Sequence, residues 1–339
     1  MKKSVLIFLS IISFILFASL GKTSHPLVKA SDRVAMVLEK LGDDISANKA
    51  NLQVKGASAE RGRDLVLKGI TKKPNGRKTK KQSRHFVCTS CHNIKKEDPD
   101  LSIADPQARL EYVNKNGMRF LQGTTLYGAV NRTSFYNGDY YKKYGKLVYK
   151  ARNNIREAIQ LCATECAQGR RLKSWELESI LAYLWTIDLK MEDLNLSTKD
   201  FQTIEKSLAN NNNSNTSIQL IKSKYLSGSP ATFVAPPKDR KLGYQLKAHP
   251  ENGKLIYELS CLHCHKNGRY SFFKLDESKN SLKYLTKHFP EYSRYSVYQV
   301  ARYGTPPVGG KKSYMPQYTL EKMSNQQMED LRAYIEQRE

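Results

Sequence analysis

Past its first twenty residues the chain has no apolar run long enough to cross a bilayer, which excludes a body made of several membrane spans. No cysteine follows that first run, which excludes a lipoprotein-type lipid anchor. Acidic residues are scarce, 32 Asp and Glu against 56 Lys and Arg, for a net charge of +24. Such basicity first suggests nucleic acid. Behind an export signal it reads instead as a solvated basic face, contact with an anionic envelope surface, an acidic redox partner, or steering of a small anionic substrate, and no nucleic acid is expected. Cysteine is sparse as well, and the spacing of the six argues against a three-disulfide scaffold. Four of them fall in two Cys-x-x-Cys-His runs, and a disulfide scaffold has no use for a histidine directly after each pair.

The N-terminus supplies the export signal. Met1-Lys2-Lys3-Ser4 is a positive start, and Val5 to Leu20 is an apolar stretch of secretory length. Ser19 and Gly21 permit cleavage after Gly21; left uncleaved, the same segment (1–21) would anchor the chain and give it its membrane contact. Either way the body faces the periplasm or another extracytoplasmic space. Residues 22–58 read as an N-terminal helical extension whose segment Arg33 to Leu41 either packs on the core or forms a stalk. Residues 59–192 read as a first domain. It opens on a helical segment, Ala59 to Lys68, and runs through a Lys-, Pro- and Gly-rich loop into the first Cys-x-x-Cys-His. Phe120 to Tyr149 reads as loop, Asn153 to Cys166 as helix, and Ser174 to Leu189 as a helix capped by Ser174, with Ile180, Leu181, Leu184 and Ile187 as its core stripe. Residues 193–240, with an Asn-rich run and Ala235-Pro236-Pro237, read as a polar linker. Residues 241–339 read as a second domain ending in a helix, Ser324 to Gln337. The two halves repeat one order of elements, so the expected fold is all-α: two cytochrome c-like units joined by the linker.

Covalent haem attachment needs two thiols spaced to meet two vinyl groups and a histidine next in line for the iron. Cys88-Thr89-Ser90-Cys91-His92 and Cys261-Leu262-His263-Cys264-His265 both meet that requirement, so two covalently bound c-type haems are expected. The ligand on the other face of each iron decides between electron transfer and substrate chemistry. For the second haem Met315, followed by Pro316 and ahead of the Ser324 cap, is the expected ligand, with Met323, His288 or a lysine as alternatives. In the first domain no methionine holds the matching place; Leu161-Cys162-Ala163-Thr164-Glu165-Cys166 stands there and points to a cysteine ligand. Two other readings of that pair are a disulfide, which i, i+4 spacing disfavours, and two buried bystander thiols.

Ile159-Gln160-Leu161-Cys162, Gly169-Arg170-Arg171-Leu172 and Ser174 to Trp185 resemble the first domain of dihaem thiosulfate dehydrogenases and the A subunit of the Sox sulfur-oxidation cytochrome. Val87 to Asn93 and Ile256 to His265 are similar to their haem motifs. The resemblance covers residues 60 to 190 well. It implies that Cys162 is the distal ligand of an active-site haem, that a thiosulfate-like anion reacts there, and that electrons leave through the second haem to a soluble or membrane redox partner. Those enzymes carry an arginine four residues before this cysteine and a serine four after it. Here Ala158 and Cys166 stand in those places, so Arg156 is the expected substrate cation, and Cys166 replaces the serine, binds sulfur itself, or is idle. A carrier without substrate chemistry is the competing reading.

Overall fold

The computed structural model describes residues 26–210, 214–268, 270–305 and 315–337. The N-terminal apolar segment lies outside them, and with it the choice between cleaved signal and anchor. Among the described residues the regular structure is helical, with two isolated bridges and no named strand. Eleven helices carry the argument: α1 (Val34–Lys40), α2 (Ala59–Lys68), α3 (Pro106–Lys115), α4 (Ile155–Leu161), α5 (Ser174–Leu184), α6 (Thr198–Asn210), α7 (Ser214–Lys222), α8 (Pro250–Ile256), α9 (Lys279–His288), α10 (Val297–Tyr303) and α11 (Asn325–Gln337).

Each half is built on one crossed helix pair, α2 with α5 and α8 with α11. In both crossings a glycine lets the backbones touch. A β-carbon at Gly62 would overlap the Ser179 carbonyl oxygen, and one at Gly253 the Asp330 carbonyl oxygen. Local chemistry fixes the ends. Ser58 Oγ accepts from Arg61 N at 3.3 Å to start α2, and Gly69, at φ +68°, closes it. Ser324 and Gln327 cap α11 reciprocally, Ser324 Oγ accepting from Gln327 N at 3.1 Å and Gln327 Oε1 from Ser324 N at 3.0 Å. Ser174 departs from expectation. It is already the first helical residue of α5, and the preceding Lys173 N–H donates to Glu176 Oε2 at 2.9 Å, so a carboxylate three residues on does the work expected of the serine.

The stretch read as a linker is largely folded. α6 and α7 pack as a hairpin whose Ile204, Ile218 and Ile221 are buried with Val34, Val37 and Leu38 of α1 and with Leu189 and Met191. Ser207 and Ser217 hydroxyls meet at 2.7 Å inside it. The Asn-rich run masks this pattern in the sequence because it only joins the two helices. Residues 223–240 carry no helix and run along both halves: Asn137 Nδ2 donates to Ala231 O at 2.7 Å, and Thr232 N to Glu321 Oε2 at 2.8 Å. For α1, packing wins over a stalk; Val34 N also donates to Leu189 O at 2.8 Å.

The halves are interlocked. α3, started by the Asp105 carboxylate and Pro106, lies within the first half of the chain, yet its Leu110 and Val113, with Phe120, are buried in the core of α8, α9, α10 and α11. Phe120 N donates to Leu259 O at 3.1 Å, and Asn252 Nδ2 to Gln107 Oε1 at 3.0 Å.

Candidate functional site

The first motif forms a tight turn, with Val87 N donating to Ser90 Oγ at 3.0 Å, and places Cys88, Cys91 and His92 on the wall of one apolar cavity. His92 Nδ1 lies 2.7 Å from Thr124 O. Donation to that carbonyl leaves the lone pair on Nε2. Gly123 keeps this approach open, since a β-carbon there would run into the imidazole. Burial lowers the His92 pKa, which keeps the ring neutral, and pushes the Cys88 thiol up to about 11.

The second motif is the end of a nearly continuous helix. α8 runs through a π-helical turn, Tyr257–Cys261, into the turn Leu262–His265. Cys261, Cys264, His265 and Met315 line the second cavity. His265 Nδ1 is 2.8 Å from Phe273 O, the same arrangement as at His92, and burial again lowers the imidazole pKa. Burial pushes the Cys261 thiol up to about 12. Met315 is pinned by its backbone: its N–H donates to Thr305 Oγ1 at 2.8 Å, and Thr305 N donates to Met315 O at 3.0 Å. Met323 and His288 line the same cavity, with the His288 ring engaged by the Glu291 carboxylate.

Both clefts fit a covalently held haem by their donors: two protonated thiols, a neutral imidazole committed at Nδ1, and apolar walls. They also adjoin. Phe86, Gln122 and Pro316 belong to both linings, and Gln122 Nε2 donates to Cys91 Sγ at 3.5 Å.

Cys162 and Cys166 lie together on the first cleft, at the two ends of a π-helical turn that continues α4. Both are free thiols joined by a hydrogen bond, so the disulfide reading does not describe this structure. That bond lowers the Cys166 pKa and raises that of Cys162; burial opposes the first effect and adds to the second. The Tyr144 hydroxyl at 3.2 Å, the Tyr136 hydroxyl at 3.6 Å and the Lys143 charge further favour the anion at Cys166.

Arg156 does not join them. Its guanidinium pairs with Glu178 at 2.7 Å and donates to Ala47 O and Lys49 O, bracing α4 to α5 and to the N-terminal extension. Arg156, expected to receive substrate, therefore lies outside the lining of that cleft. Arg132, whose guanidinium holds Thr125 O and Tyr127 O, lines the first cleft in its place, and Lys143 lies beside Cys166. Sequence spacing hid both cations, because they come from residues 120–149, expected to be loop, where short helical turns form instead and Tyr141–Tyr144 carries Lys143.

A buried charge cluster, also unseen in the sequence, stands between the halves. Glu97 meets Arg109 Nε at 3.3 Å and Lys322 Nζ at 3.4 Å. Burial would raise the Glu97 pKa, but Arg109 and Lys322 override it and hold the carboxyl at about 2.

Compared with known families, residues 248–335 match the family described as cytochrome C oxidase, cbb3-type, subunit III. No curated protein and no solved structure matches the chain. The match spans α8, the second motif, Met315 and α11.

Proposed function

We propose that this chain, in which the cytochrome match at residues 248–335 supports electron transfer, holds a second haem in its first half and passes electrons between the two. The observation that carries the reading is the pair of matched clefts, each with a histidine tied at Nδ1 to a backbone carbonyl, meeting at Phe86, Gln122 and Pro316. Cys88, Cys91 and His92 would hold one haem and Cys261, Cys264, His265 and Met315 the other. A bound c-type haem supplies reversible one-electron chemistry. The protein's own part is to hold both imidazoles neutral and oriented, to exclude water with apolar walls, and to bring the clefts edge to edge. The test is the haem content of the purified holoprotein by pyridine haemochrome and intact mass. Two haems per chain are expected, and one would end the proposal.

A second reading, oxidoreductase chemistry on a thiosulfate-like anion at the first cleft, is favoured by the Cys162–Cys166 pair and by Arg132 and Lys143 near it. Oxidative joining of two thiosulfate ions through a new sulfur–sulfur bond releases two electrons, the number two one-electron centres can hold. Arg132 and Lys143 would draw the anion in, the tyrosine hydroxyls would orient it, and Cys162 would be the ligand that the family resemblance implies. The Met315 side would hand electrons to a soluble or membrane redox partner outside the cytoplasm, the N-terminal segment acting as export signal or anchor. In Cys162→Met, sulfur turnover is expected to vanish with both haems retained; full activity in that variant would remove Cys162 from the chemistry, and a native protein without sulfur turnover would be an electron carrier alone.

A further inference from the structure

We propose that Lys322, supplied by the second half of the chain, is a positioning and charge-setting residue for the haem site of the first half. The inference rests on the two-haem reading. Glu97 is the hub through which it acts. Glu97 Oε2 accepts from Asn93 Nδ2 at 2.8 Å, and Asn93 directly follows His92. Glu97 Oε1 accepts from Thr125 N at 3.0 Å, and Thr125 directly follows Thr124, whose carbonyl holds His92 Nδ1. One carboxylate thus grips the neighbours of both partners in the hydrogen bond that orients the ligand.

A fully buried anion at that point needs compensation. Arg109 supplies part of it from within the first half, and its side chain also donates to Leu121 O. Lys322 supplies more from across the interface, where Arg109 Nη1 donates to its carbonyl at 3.2 Å, and the charges of Arg132 and Asp98 act on the same group. Lys322 ends a short segment that starts at Met315 in the second cleft and includes Pro316 on the shared wall. One segment therefore offers the second iron its expected ligand and the first site its cation.

The sign of the effect follows from Coulomb's law in a poorly screened interior. Removing the Lys322 charge leaves Glu97 undercompensated, which favours the more positive, oxidised state of the nearby centre. The experiment is a spectroelectrochemical titration of the full holoprotein with haem content counted in each variant. Lys322→Gln is expected to retain two haems, to lower the midpoint potential of the first centre and to leave the second in place; Lys322→Arg restores the first. Glu97→Gln removes the anion instead and is expected to shift the first centre upward, so the test survives if Lys322→Gln does not fold. Unchanged potentials, or equal shifts at both centres, would overturn the inference while leaving two haems counted. A wild-type count of one haem would remove the two-haem reading beneath it, a result distinguishable from either.

Discussion

The two halves agree in their scaffold and differ where chemistry is decided. Each crosses two helices over a glycine, Gly62 under Ser179 and Gly253 under Asp330, and each fixes a motif histidine through a backbone carbonyl. Yet Gly253 precedes Cys261 by 8 positions, within one nearly continuous helix, whereas Gly62 precedes Cys88 by 26. The extra residues include a turn bridged between Lys72 and Lys78, with exposed cations at Lys72, Arg77, Lys78, Lys80 and Lys81. The other divergence is the ligand loop: Met315 held by Thr305 on one side, two thiols among tyrosines on the other. Scaffold is shared because the helix crossing is what makes a cleft. Ligands and rims diverge because they lie outside that crossing, Met315 in an irregular segment and Cys162 and Cys166 at the ends of a π-helical turn.

The sharpest break of this comparison comes from exchanging the ligands' fate. Cys162→Met is expected to convert the low-temperature electron paramagnetic resonance signal of the first centre from thiolate type to histidine–methionine type and to abolish sulfur turnover, whereas Met315→Ala alters the second centre alone. A spectrum of the native protein without any thiolate signal would move the first half into the carrier class of the second.

Next in size is the shared scaffold. Gly62→Val and Gly253→Val each drive a side chain into backbone and are expected to cost about 3–5 kcal/mol, measured by denaturant unfolding of the holoprotein. Similar losses in both would support duplication of one unit, and a loss confined to one site would argue for two unrelated packings.

The interface gives a pH signature. The Glu97 pKa is lowered on folding, from 4.5 to about 2. Below the ordinary value the unfolded chain takes up a proton that the folded chain still refuses. Its contribution, about 3 kcal/mol, is therefore complete above pH 4.5 and is lost as the pH falls towards 2. Glu97→Gln is expected to flatten the stability profile across that window, and an unchanged acid limb would show that the cluster does not bind the halves.

The smallest effect separates brace from substrate residue. Arg156→Ala is expected to lose about 1 kcal/mol of stability, since the Glu178 pair is partly solvated, and to leave sulfur turnover unaltered. A raised KM with unchanged stability would return Arg156 to the cleft.

Local spacing and helical period were legible from the amino-acid order: both Cys-x-x-Cys-His runs, the α5 stripe of Ile180, Leu181 and Leu184, and the Ser324 cap. Tertiary choices were not. Arg156 has suitable partners throughout a basic chain, and only folding brings Glu178 to it. Lys322 and Glu97 lie 225 positions apart. α3, capped by Asp105 and opened by Pro106, was not among the helices expected from the sequence, and nothing local says which core takes Leu110 and Val113. α6 and α7 were hidden by the Asn-rich run between them.

The seating of α3 also constrains the order of assembly. The apolar side of this helix, made early in synthesis, belongs to a core whose closing helix α11 is made last. The first half therefore keeps Leu110, Val113 and Phe120 exposed until α11 has been made, a long-range dependence that slows folding and favours chaperone contact before closure. Cleavage between residues 223 and 240 would yield one fragment missing a piece of its interior and another unable to bury the piece it kept.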